Sequence, residues 1–159
     1  MSTIFDPTAF LDQTTEQALE RRNPLPALDY NATIKDVVSK TWESKDKVDE
    51  KTGMLKSGLR LEILLDLDIP QEVKDSIQVE KLTLTDGVMV DLNDSKTAID
   101  YGKGKNGRLR QYRDATNLNQ SGQAFSPRML VGRMVRVRIT HEEYNGNIME
   151  RAGAISKAV

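Results

Sequence analysis

Apolar and polar residues alternate with a period of two over several separate stretches of this chain, and helical spacing is confined to short ones. The clearest alternation is LRLEILLDLD, where Leu59, Leu61, Ile63, Leu65 and Leu67 share one parity. A strand turns successive side chains to opposite faces, so this stretch predicts a strand with one apolar face. Val135, Val137 and Ile139 alternate with Met134, Arg136, Arg138 and Thr140, which predicts a strand apolar on one face and arginine-bearing on the other. Tyr144-Asn145-Gly146-Asn147 follows it. Asn-Gly tolerates the positive φ angles of primed turns, so Ile148 to Ile155 is the return strand of a hairpin. Tyr30 to Glu43 reads as the first strand, with Tyr30, Ala32 and Ile34 on one face and then Val37, Val38 and Trp42. The change of parity between Ile34 and Val37 predicts a bulge. Leu82, Leu84, Val88 and Val90 flank Asp86-Gly87, so Val79 to Leu92 reads as a further hairpin.

The intervening segments carry turn and loop chemistry. Ser44 to Gly58, SKDKVDEKTGMLKSG, is dense in charge and reads as a long hairpin loop. Pro70 to Ile77 is compatible with one helical turn or a covering loop. Asn93 to Asn106 is a glycine-lysine loop. Gly107 to Asn117, GRLRQYRDATN, predicts a helix with Leu109, Tyr112 and Ala115 on one side. Gln120 to Gly132 is a loop with a possible turn of helix. Residues 1–28 read as an N-terminal extension. Asp6-Pro7 starts a short helix, and Thr14 or Thr15 caps a second that runs to about Arg22. Asn23-Pro24-Leu25-Pro26 ends it. Phe5, Phe10, Leu11, Ala18 and Leu19 suffice to dock on a surface but not to make a core. The order of elements predicts a mostly β domain over residues 29–159. A five-stranded OB-fold-like barrel with one short helix before the last hairpin fits it best, with the partly helical extension of residues 1–28 attached.

At 159 residues, with 38% apolar and 30% charged residues, the chain has the size and balance of one globular domain. No apolar run approaches the roughly 20 residues of a membrane span. MSTIFDPTAF has neither the basic nor the apolar region of a secretory leader, so none is expected. The chain has no cysteine, which excludes disulfides and thiolate metal sites. Its net charge of −1 conceals an asymmetry: residues 103–159 carry 11 Lys/Arg against 4 Asp/Glu, and residues 1–102 carry 12 against 20. A basic region of this kind suits a polyanionic partner.

The inventory for catalysis is thin. His141 is the only histidine, and His141-Glu142-Glu143 is not a zinc-protease motif. Gly102-Lys103-Gly104-Lys105-Asn106-Gly107 is glycine-rich but lacks the Ser/Thr that follows lysine in nucleotide-hydrolase loops. It remains able to present amides and two lysines to a backbone phosphate. Asp66, Asp68, Asp91 and Asp94 offer carboxylates for Mg²⁺, but acidic residues near strand edges more commonly keep edges from aggregating. No enzyme activity and no cofactor are expected. What is present is basic residues interleaved with aromatics. Lys103 and Lys105 flank Tyr101; Arg108, Arg110 and Arg113 flank Tyr112; Arg128 flanks Phe125; Trp42 stands among Lys40, Lys45 and Lys47. Single strands are held by cations that track phosphates and by rings on which bases stack. The candidate nucleic-acid-binding residues are Trp42, Lys103, Lys105, Arg108, Arg110, Arg113, Tyr112, Arg136 and Arg138. Core packing competes as an explanation for each aromatic, most strongly for Tyr112 and Tyr30. A solvated face competes for Arg136 and Arg138.

The segments PALDYNATI, LRLEILLDLDI, GRLRQYRDATNLN and MLVGRMVRVRITHEEYNGNIMERAGAISKA together resemble small single-stranded DNA-binding proteins of bacteriophages and related phage and prophage proteins. The resemblance spans roughly residues 24 to 158 and is a pattern of elements. It implies an OB-fold, sequence-independent binding of single-stranded DNA in phage replication or recombination, and residence in the cytoplasm of an infected bacterial host. Replication or recombination proteins and a homo-oligomer are left open as partners. Many such proteins end in an acidic tail that recruits partners, whereas this chain ends Ser156-Lys157-Ala158-Val159. The alternative reading is a viral structural or adaptor protein that uses its β-barrel to bind protein.

Overall fold

A computed structural model describes residues 6–159. Phe5, counted above with the apolar residues of the extension, lies outside the described residues, as does the rest of the MSTIF opening. Five strands form one antiparallel sheet: β1 (Asp29–Val48), β2 (Leu55–Leu67), β3 (Thr83–Val90), β4 (Met134–Tyr144) and β5 (Asn147–Lys157). Their order across the sheet is β3-β2-β1-β4-β5, so β3 and β5 are the edges. No helix among the described residues is long and apolar enough to cross a membrane.

The period-two faces are where the sequence puts them. Tyr30, Ala32 and Ile34 of β1, Leu61, Ile63, Leu65 and Leu67 of β2, and Val135, Val137 and Ile139 of β4 are all buried in one core. The predicted bulge appears as a register shift against β2 between Ile34 and Asp36. There Gly132 N donates to Ile34 O and Ile34 N to Arg133 O, each at 2.8 Å, which ends the β1–β4 pairing. Beyond it β1 pairs with β2 alone. The Asn145-Gly146 turn has φ of 50° and 77°, the primed geometry that Asn-Gly favours. Two short helices complete the body: α1 (Gln71–Ile77) and α2 (Gly107–Ala115). Leu109, Tyr112 and Ala115 of α2 face inward as their spacing predicts. A 3₁₀ turn, Pro127–Leu130, leads into β4.

Three expectations are corrected. Asp86-Gly87 is not a turn; both residues lie inside the unbroken strand β3, whose ladder to β2 runs from Thr83 to Val90. Asp-Gly tolerates the positive φ angles of a tight turn but does not require them, and here the ladder to β2 and the bonds from Arg108 and Tyr112 of α2 to the Asp86 carboxylate hold the pair extended. Ser44 to Gly58 is mostly strand: β1 runs on to Val48, β2 resumes at Leu55, and only the residues between them turn. A two-stranded ribbon wet on both faces needs no apolar alternation, so its charged composition resembles that of a loop. Among the described residues of the extension, only Pro7–Asp12 is helical, a 3₁₀ turn with the Asp6 carboxylate accepting from Thr8 N at 3.0 Å. No second helix forms between Thr14 and Arg22.

Residues 22–28 instead run extended along β4 and β5. Two prolines in Asn23-Pro24-Leu25-Pro26 remove amide donors and hold this segment open. Leu25 is fully buried. Ile139 N donates to Leu28 O at 2.9 Å, Tyr30 Oη to Pro26 O at 3.0 Å, and His141 Nε2 lies 2.6 Å from Leu25 O. Arg22 pairs with Glu150 at 2.8 Å. The packed body therefore begins upstream of Asp29, inside the segment that the sequence assigns to the extension.

The two edge strands share no ladder, and α2 spans them. Arg108 Nε and Nη2 donate to Asp86 Oδ2 of β3 at 3.0 and 2.8 Å. Nη1 donates to Gly153 O at 2.7 Å and Nη2 to Ala152 O at 3.0 Å, both on β5. Tyr112 Oη donates to the same Asp86 oxygen at 2.5 Å. Burial first, and then the Asp86 charge, push the Tyr112 phenol above its usual range.

Two predictions follow from this packing. Leu25→Ala should cost about 2–5 kcal/mol, the range for emptying a buried leucine site. A melting temperature unchanged from the parent would place Leu25 outside the core. Stability should also fall as pH rises past about 10, because the unfolded tyrosines then ionise while folded Tyr112 stays neutral. Tyr112→Phe should flatten that alkaline slope in denaturant titrations. A smaller slope should remain from Tyr30, whose phenol is also raised by burial.

Candidate nucleic-acid interface

Four of the nine candidate residues prove to be committed elsewhere or differently placed. Tyr112 has no exposed surface, so it has no ring face to offer a base. Arg108 spends its donors on Asp86, Gly153, Ala152 and, through Nη1 at 3.0 Å, Gln111 Oε1. Both are structural. Arg138 forms a fork to Asp29, at 2.9 Å to Oδ1 and 3.0 Å to Oδ2, across the β1–β4 ladder. The Arg138 guanidinium holds the Asp29 carboxyl below the usual carboxylate range. Arg136 Nη1 reaches Asn31 Oδ1 at 3.3 Å. The arginine face of β4 is real, but Asp29 answers part of its charge.

Lys103, Lys105, Arg110 and Arg113 converge. They line one cavity of about 250 Å³ between the glycine-lysine loop and α2, together with Asp100, Tyr101, Asn106 and Asn119. None of the four takes part in an ion pair among the described residues. Arg113 is oriented by its Nε–Leu118 O bond of 2.9 Å and by the Phe125 ring, whose centroid is 4.1 Å from the guanidinium carbon. Tyr101 lies 5.9 Å from the same carbon and is exposed.

Asn106, a residue the sequence reading passed over, holds this loop in place. It is buried and takes a left-handed φ of 54° just before α2. Its Oδ1 accepts from Asp91 N at 2.8 Å, and its Nδ2 donates to Asp91 O at 3.1 Å and Asp100 O at 2.7 Å. An asparagine ahead of a helix-like segment is the usual sign of a cap. Here it ties a loop together at both ends.

Trp42 is half-buried on the β1–β2 arm, opposite Gly58 in register. The missing side chain at 58 makes room for the indole: a Cβ there would lie 2.8 Å from Trp42 Nε1. Trp42 borders a depression shared with Lys96 and Lys105, and a second shared with Lys51, Lys56 and Lys96. Lys105 therefore belongs both to the basic cavity and to the Trp42 depression. Lys96 Nζ donates to Ser57 O and Oγ, each at 3.2 Å, and so fastens the loop to the arm. Arg60 lies on the same outer face as Trp42, and both Trp42 Nε1 and Arg60 Nε are buried without a hydrogen-bond partner. Such donors are costly to leave unmet. Lys51, Lys56, Lys96 and Arg60 were not singled out from sequence, because only the pairing of β1 with β2 brings them beside Trp42.

No cluster of three metal-ligating side chains occurs among the described residues. Asp66, one of the carboxylates considered for Mg²⁺, accepts from Thr83 Oγ1 at 2.7 Å and faces Lys81 at 3.7 Å.

Gly58→Ala should displace the indole and move the emission of the single tryptophan to longer wavelength without unfolding the body. An unchanged spectrum would show that the ring does not rest on residue 58. In comparisons with known proteins, no family model matches this chain, and no curated protein matches it.

Proposed function

We propose that this chain is a non-catalytic single-stranded DNA-binding protein of the bacteriophage type, working in replication or recombination inside an infected bacterial cell. The observation that carries the reading is the continuity of unpaired cations with a partly exposed ring. Lys103, Arg110 and Arg113 share one cavity with Lys105, and Lys105 shares the next depression with Trp42. Cations without protein counter-charges suit phosphates, and a ring beside them suits a base. The strand order, with α2 bridging the edges β3 and β5, supports an OB-fold whose barrel is completed by side chains of α2 in place of a backbone ladder. In OB-folds the outer face of the second and third strands and the adjoining loops meet oligonucleotides. Arg60 on β2, exposed Met89 on β3 and Trp42 on the arm lie on that face.

A second reading, a viral structural or adaptor role, draws on Leu11 and Leu19, both fully or largely exposed on the extension. Exposed leucines on a peripheral segment suit a protein partner. The same segment, on this reading, makes the homo-oligomer.

Titrating Trp42 fluorescence with oligonucleotides separates the two. Single strands should bind better than duplex, and log K should fall linearly with log[salt], at about −0.7 per phosphate neutralised. Lys105→Ala combined with Arg110→Ala should weaken binding more than Arg136→Ala combined with Arg138→Ala, because Arg138 is answered by Asp29, whereas among the described residues neither Lys105 nor Arg110 forms an ion pair. Equal affinity for duplex, or no salt dependence, rejects the proposal and favours the adaptor role.

A further inference from the structure

The cavity between the glycine-lysine loop and α2 differs from the rest of the candidate interface in being half-enclosed, at about 250 Å³. Its lining has four cations and one carboxylate, and that carboxylate is turned to its own loop, with Asp100 Oδ1 accepting from Gly102 N at 2.8 Å. Arg113 enters already oriented by Leu118 O and Phe125, so meeting an anion costs it little side-chain freedom. The first turn of α2, through Asn106, Leu109 and Arg110, forms one wall, and Tyr101 forms another.

We propose that this cavity seats a terminal phosphate monoester of a DNA single strand, a proposal that rests on the single-strand reading above. An internal phosphodiester carries one negative charge and has chain leaving on both sides, so it needs an open groove. A monoester has one substituent, three free oxygens and a charge of about −1.5 to −2 near neutral pH. It can enter a half-enclosed site and engage several cations at once. Arginine donates to such oxygens in a planar fork, while the lysines add point charge. Because Lys105 borders both this cavity and the Trp42 depression, a strand seated by its end leads from the cavity toward the indole.

Three oligonucleotides of one sequence test this, carrying a 5′-phosphate, a 3′-phosphate or hydroxyls at both ends, each titrated against the full chain. One phosphorylated strand should bind about tenfold more tightly than the hydroxyl-ended strand, the scale of one good charge-assisted contact. That preference should shrink below about pH 6, where the monoester takes up its second proton. Arg110→Ala should bring the ratio close to one, and Lys103→Ala should lower it. Equal affinity of the parent chain for all three strands would overturn the proposal while the single-strand reading stands. If strand ends make no difference but thymidine monophosphate competes with them, the site belongs to a free mononucleotide and the strand-end proposal falls. Binding of no strand at all would remove the single-strand reading, and this proposal with it.

Discussion

Arg108 is the constraint on which the arrangement of the chain depends. The sheet has two edges, β3 and β5, that approach each other without a shared ladder. A bare edge leaves amides and carbonyls unpaired. Arg108 answers this with five donors in a rigid plane: one side meets the Asp86 carboxylate on β3, the other meets two carbonyls of β5. Gln111 adds a long contact of its own, with Oε1 accepting from Ile155 N at 3.4 Å. Tyr112 then fills the interior below and shares Asp86. Removing one member of such a half-buried pair strands the other, which is why the cost of breaking it, about 3–5 kcal/mol for a buried pair, exceeds its net contribution.

This linkage also places the candidate interface. Because Arg108 and Tyr112 pin one side of α2 to the sheet edges, Arg110 and Arg113 must face the other way, toward the glycine-lysine loop. Asn106 holds that loop against the start of α2 by bonds to Asp91 and Asp100. The loop lysines are thereby brought beside the helix arginines, and among the described residues none of the four forms an ion pair with a carboxylate. A chain of net charge −1 can in this way concentrate uncompensated positive charge, provided that its acidic residues are engaged elsewhere. Asp29, Asp86 and Glu150 are so engaged with Arg138, Arg108 and Arg22, and Glu62 with both Lys40 and Arg60.

The β1–β2 arm makes a separate contribution. Past the bulge at Ile34, β1 leaves β4 but stays paired with β2, which β3 flanks as far as Leu59; from Trp42 and Gly58 onward the pair runs on as a two-stranded ribbon. That ribbon positions Trp42 above Gly58 and beside Lys96 and Lys105. On the outer face of these strands Val38, Trp42, Leu64 and Met89 stand among polar and charged residues.

Much of the fold could be read directly from the sequence, because it is written in local periods. The parity of Leu61, Ile63, Leu65 and Leu67, the parity break after Ile34, the Asn145-Gly146 turn and the inward side of α2 are each settled by residues within a few positions of one another. Asp86-Gly87 departs from its expected turn for the opposite reason: its local preference is overruled by Arg108 and Tyr112, more than twenty positions away. The ribbon is not legible in the sequence because a doubly wet pair of strands has the composition of a loop. The place of Leu25 in the core is hidden in the sequence by the prolines on either side of it, which read as a boundary.

For the candidate site, the sequence by itself determined which residue types were available and that the basic ones gather after Lys103. Tertiary structure decided which of them remain free. Arg108 and Arg110 are the same residue type, two positions apart on one nine-residue helix, α2. A helix turns about 100° per residue, so they point to different surroundings. One meets a carboxylate and two strand carbonyls; the other lines the half-enclosed cavity beside Lys103 and Lys105. A charge is neutralised by an acceptor within a few ångströms, and only the folded chain brings distant acceptors that close.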